Sequence, residues 1–120
     1  MGFLKGLNET SEQIHAGQTR EWCKEVEGVE EVTDCIERTR NKVAGVVESI
    51  KLRPTRFSNT LEVTLFDGTD RIIGVWLGRK SIPGIDLGSH LKLEGTIGKF
   101  DDGYLRIINP AYELLPASHS

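Results

Sequence analysis

Cysteine is scarce: Cys23 and Cys35 are the only two in 120 residues, twelve positions apart. Two thiols exclude a disulfide scaffold, and reduced thiols in a cytoplasm are the simplest expectation. Long apolar runs are missing too. The most apolar stretch, Ile72 to Leu77, has six residues, against about 20 for a helix crossing a bilayer, so no membrane association is expected. No basic-then-apolar leader with a small-residue cleavage site opens the chain, which argues against secretion. His15, His90, His119 and the two cysteines show none of the paired spacing of a metal site. No glycine-rich phosphate loop precedes a helix, and no Ser-His-Asp or Cys-His set stands out. Asp67 and Asp70 read as turn formers, and Asp101 and Asp102 sit in an exposed context. The expectation is a protein with no catalytic residues, no cofactor and no metal, and not an enzyme.

What is present is an ordinary globular composition, 38% hydrophobic and 28% charged with 13 glycines, rich enough in apolar residues to fold. The length predicts one domain burying roughly two-thirds of its unfolded surface. The net charge of −3 is unevenly placed: residues 1–40 hold 5 basic and 9 acidic residues, residues 41–120 hold 10 and 9. The acidity therefore belongs to the N-terminal third, and the remainder is nearly balanced.

Residues 8–27 read as helical. Thr10 and Gln13 have capping-box spacing, Ile14, Trp22, Cys23 and Val26 form an apolar stripe, and Gly28 is a stop signal. Gly17 weakens the middle and allows two shorter helices. Residues 29–40 are ambiguous between a short helix and an extended lead-in. From Lys42 the texture changes to short strands between glycine turns. Lys42 to Leu52 is a long first strand, with Gly45 marking a bulge or bend and Pro54 closing the run. Thr60 to Phe66 alternates, with Leu61, Val63 and Leu65 on one face and Glu62, Thr64 and Phe66 on the other. Asp67-Gly68-Thr69-Asp70 is a tight hairpin turn. Arg71 to Leu77 is a third strand, apolar on both faces. After a longer connection, His90 to Ile97 and Tyr104 to Ile108 are the fourth and fifth. Residues 1–40 thus form an acidic N-terminal helical segment, 41–115 the β unit and 116–120 a flexible tail.

Five short strands, the first long and kinked, fit the ground plan of the OB barrel. An SH3-like barrel or a five-stranded sandwich shares much of that pattern. Particular residues add a resemblance. Val43 to Val47, Leu61 to Asp70 and Leu87 to Gly95 resemble the first, second and fourth strands of the nucleic-acid-binding OB-fold family. Ile107 to Leu114 resembles the end of the OB wedge domain of RecG-type helicases. Asp34 to Arg40, Leu52-Arg53-Pro54, Val75 to Arg79 and Ile82 to Ile85 are similar to small stand-alone OB-fold proteins of actinobacteria. The resemblance spans roughly residues 32–115. It implies a mainly β, five-stranded OB-fold barrel after an N-terminal helical segment, and a nucleic-acid-binding role. The helicase motor is absent. Glu62 stands where anticodon-type modules often present an outward aromatic; a carboxylate there repels phosphate and offers no stacking face.

Lys51, Arg53 and Arg56 cluster in the expected loop between strands one and two, and Arg79 and Lys80 follow strand three. In this fold these regions rim the groove, where cations track phosphates. Phe57 and Phe66 are the stacking candidates, with Trp76 as a third; Phe100 and Tyr104 complete the aromatic supply, and Lys99 and Arg106 flank the last hairpin. The expected partner is single-stranded nucleic acid, DNA or RNA, with weak sequence preference. The alternative is a protein-interaction module, with a partner protein or a second copy on the outer face of strand three. Both faces of that strand are apolar, so something has to cover the outer one.

Overall fold

The computed structural model describes residues 2–117, with side chains described from residue 13 onward. A single helix, α1 (Gly2–Lys24), runs unbroken through Gly17. Space around Gly17 is open, so the glycine costs the helix about 1 kcal/mol of propensity without disrupting it. Thr10 therefore lies within the span of the helix, and the expected capping box falls outside the residues whose side chains are described. The expected flexible tail likewise has its last three residues outside the described region.

The ambiguous stretch after the helix is an extended lead-in with one 3₁₀ turn, Val32–Asp34. It belongs to the core: Val32 is buried among the strand side chains. Its amide donates to Asp67 Oδ2 at 2.7 Å. The Glu30 amide reaches the Lys42 carbonyl at 2.7 Å and the Arg38 amide the Ile97 carbonyl at 2.8 Å. These bonds satisfy backbone groups that no regular element serves.

Six strands follow: β1 (Arg40–Pro54), β2 (Asn59–Phe66), β3 (Arg71–Leu77), β4 (His90–Lys99), β5 (Leu105–Ile108) and β6 (Ala111–Leu115). The first five close on themselves in the order β1-β2-β3-β5-β4, with β1 returning to β4. β3 and β5 are parallel; the other neighbours are antiparallel. Closure is possible because β1 serves two partners, with Arg40–Val46 against β4 and Val46–Pro54 against β2. The register slip expected near Gly45 lies instead between Val47 and Ser49. Gly45 itself answers a different need, the close approach of β1 to β2.

β6 is an addition to the five expected strands. It pairs with His90–Glu94 of β4, whose later residues pair with β5. Asn109, at φ 50, and Pro110 turn the chain between the two.

Leu61, Val63 and Leu65 of β2 face the interior with Ile72 of β3, Leu91, Leu93 and Ile97 of β4, and Ile107 of β5. α1 rests on the back of this ring. Cys23 Sγ donates to the Ala44 carbonyl at 3.1 Å, and the rings of Trp22 and His90 meet edge to face at 4.5 Å. A side chain on Gly68 would strike Arg20 and the Ala16 backbone, so the β2–β3 turn sits against the helix. Among the described residues no helix is long and apolar enough to cross a membrane.

Candidate nucleic-acid interface

Residues opposite one another in neighbouring strands share a face, so the register lays out the outer surface in rows. The row nearest the β1–β2 loop runs Arg53, Thr60, Leu77. The next runs Lys51, Glu62, Val75, Ile108, and the one after it Ser49, Thr64, Ile73, Arg106. Phe66 and Arg71 pair beyond these. Cations thus line the β1 side, apolar residues of β3 and β5 fill the middle, and Arg106 closes the far side.

The expected loop position holds only for Arg56: Lys51 and Arg53 lie on the end of β1, paired with β2, and all three are exposed, with Phe57 at the loop tip 90% exposed. The guanidinium of Arg56 lies 5.8 Å from the Phe57 ring centre. Arg79 and Lys80 begin the connection after β3. The Gly78 amide that precedes them donates to the Asn59 carbonyl at 2.7 Å, which brings the two basic segments to the same end of the ring. Arg53 Nε lies 3.0 Å from Glu62 Oε2. Lys51, Arg56, Arg79 and Lys80 have no ion-pair partner among the described residues.

Phe66 and Trp76 are placed differently from the other candidates. Phe66 does face outward, but the Arg71 guanidinium covers its ring at 4.5 Å. Arg71 is itself held by Glu48 through Nε at 2.7 Å and Nη2 at 3.1 Å. Phe66 also sits roughly 20 Å down β2 from the basic end, at about 3.3 Å per residue. It is thus neither bare nor near the other candidates. Trp76 belongs to the core, at 5% exposure. β3 turns Ile72, Gly74 and Trp76 inward; the missing side chain of Gly74 makes room for the indole, whose edge a methyl group there would meet at 3.1 Å. Tyr112 of β6 closes over it edge to face at 6.0 Å. The stacking role expected of Trp76 is therefore corrected: its ring packs in the interior.

The outer face of β3 is sheltered by long neighbours. Arg106, across from Ile73, has a side chain 13% exposed, and Glu62, across from Val75, is 15% exposed. Leu77 and Ile108 remain open at 55% and 45%. Arg106 is fixed by Asp102, with Nη1 to Oδ1 at 2.8 Å and Nη2 to Oδ2 at 2.7 Å, and stacks on Phe100 at 4.7 Å. Its hydrogen bonds and the Tyr104 amide hold the Asp102 carboxyl down at about 2. Arg71 and Arg106 are thus already neutralised, unlike Lys51 and Arg56.

Sequence reasoning missed Arg71 as the guard of Phe66. The signal was available, because a tight Asp67–Asp70 turn sets Phe66 and Arg71 opposite each other. Asp67 does form that turn. Its Oδ1 accepts from the Thr69 amide at 2.8 Å, the Thr69 hydroxyl at 2.6 Å and the Asp70 amide at 3.0 Å. Burial first, and the Asp67 charge second, push the Cys23 thiol up to about 12 and the Cys35 thiol up to about 11, which favours the protonated form of both.

A closed ring in this strand order, with a parallel β3–β5 pair and a helix at its back, leaves one description. The chain has an OB-fold. Comparison by sequence finds no matching protein family and no matching curated protein. Among solved structures, RecG bound to a three-way DNA junction matches this OB-fold with a TM-score of 0.58 and 18% identity. The match covers 76% of this chain and 13% of that one. At that identity the likeness establishes the fold, and the chain corresponds to a small part of the helicase.

Proposed function

We propose that the protein binds nucleic acid, single strands in preference to duplex, at the end of the ring built by the β1–β2 loop and the start of the β3–β4 connection. The carrying observation is the set of cations Lys51, Arg56, Arg79 and Lys80, without ion-pair partners among the described residues and at the same end of the ring as Phe57, which is 90% exposed and lies beside Arg56. Unpaired cations suit phosphates because binding releases counterions. An aromatic ring held in water suits a base, at roughly 1–3 kcal/mol per stacked base. Exposed Leu77 lies beside this group and gives the base a second apolar surface. Likeness to a domain of a protein solved on a DNA junction supports the same reading. The chain acts here as a binder, without catalysis.

Fluorescence anisotropy with labelled single-stranded DNA, single-stranded RNA and duplex, at two salt concentrations, tests this. Single strands are expected to bind more tightly than duplex, with affinity falling as salt rises. A folded protein that binds none of the three leaves the second reading, a protein-interaction module whose contact surface is the apolar pair Leu77 and Ile108 on the outer face.

A further inference from the structure

We propose that Glu62 selects guanine among the bases of the bound strand. This rests on the function proposed above and assigns a base-reading residue to that site. Glu62 occupies the middle of the outer face, between Lys51 on one side and Val75 on the other, with Ile108 beyond. A phosphate is repelled from the carboxylate and drawn to the Lys51 side. The base then lies toward Ile108 and Leu77, which stay exposed beyond the buried Val75 and offer apolar surface without hydrogen-bonding side chains. Glu62 supplies the polar contact from a side chain only 15% exposed.

An ionised carboxylate only accepts hydrogen bonds, and its two oxygens have about four lone-pair sites. Arg53 Nε lies 3.0 Å from Oε2 as an ion pair. That ion pair holds the carboxylate in place and leaves its acceptor capacity free. Guanine carries an imino and an amino donor side by side on one edge, matching two oxygens. Adenine and cytosine offer an amino group next to a ring acceptor. Thymine and uracil present one imino group between two carbonyl oxygens, which repel the carboxylate. A buried acceptor discriminates most sharply against a base that leaves it unpaired.

The test compares a thymidine-only strand of about ten nucleotides, within the usual site size, with the same strand carrying guanine at alternate positions. The unaltered protein is expected to bind the guanine strand roughly tenfold more tightly, as for a good bidentate base contact. Glu62→Gln is expected to bring the two strands together, chiefly by tightening binding of the thymidine strand. Arg53→Gln removes the ion pair that positions Glu62 and is expected to narrow the guanine preference, so it tests the assignment even if Glu62→Gln folds poorly. Equal binding of both strands by the unaltered protein, or a preference that survives Glu62→Gln, overturns the proposal and leaves the binding function standing. Failure of a folded protein to bind either strand removes the binding function, and this assignment with it.

Discussion

A methyl group on Gly45 would lie 2.5 Å from the carbonyl oxygen of Phe66 and 2.9 Å from Leu65 Cγ. Here β1 leaves β4 and takes up β2, so the ring closes at a point where only a hydrogen fits. Gly45→Val is therefore expected to cost at least about 2 kcal/mol, in the range of overpacked cores. Urea denaturation measures it; an unchanged midpoint would mean that the two strands part freely.

Asp67 ties the lead-in to the β2–β3 turn through the Val32 amide. Asp67→Ala leaves that buried donor without its acceptor, a loss of about 1–3 kcal/mol. Hydrogen exchange should show the Val32 amide losing protection ahead of the strand amides. Uniform loss across all strands would place the residue's role elsewhere.

The two kinds of arginine separate by salt dependence. Neutralising Lys51, Arg56, Arg79 or Lys80 should flatten the slope of log affinity against log salt by roughly 0.7 each for a single strand. Arg71→Gln should change the slope much less, because its charge is already spent on Glu48. Equal slopes for all five variants would count against phosphate contact at the β1–β2 end.

Phe57 and Trp76 divide binding from folding. Phe57→Ala removes an exposed ring and should shift stability by no more than about 0.5 kcal/mol. It should weaken binding by roughly 1–3 kcal/mol. Trp76→Ala empties an interior site and should cost about 3–5 kcal/mol of stability. Thermal melts and anisotropy on the two variants together decide the assignment.

Burial raises the Cys23 thiol from 9.0 to about 12. The unfolded chain therefore releases this proton first as pH rises, and unfolding is favoured. Its stabilising contribution is complete below about pH 9 and is lost as pH climbs toward 12. The melting temperature should begin to fall above pH 9, and Cys23→Ala should soften that fall. An identical alkaline profile in the variant would assign the loss to other groups.

Strand periodicity, turn chemistry and the position of the basic clusters are local properties of the chain. The alternation of Leu61, Val63 and Leu65 and the Asp67–Asp70 turn accordingly mark β2 and its hairpin in the sequence alone. Lys51, Arg53, Arg56, Arg79 and Lys80 could likewise be named as basic clusters, since charge density is read directly from the chain, although Lys51 and Arg53 proved to lie on β1 and not in the loop. Other features depend on residues distant in sequence. β3 is apolar on both faces, so its pattern cannot say which face is inside; the cavity left by Gly74, and Tyr112 closing over the indole, turned Trp76 inward. The partners of the charges are equally invisible in one dimension. Arg71 is spent on Glu48 and on the ring of Phe66, Arg106 on Asp102 and Arg53 on Glu62, while Lys51, Arg56, Arg79 and Lys80 have no ion-pair partner among the described residues. Sequence periodicity determined which residues could face water, and tertiary packing decided which of them still do, because burial and ion pairing are properties of neighbours and not of residues.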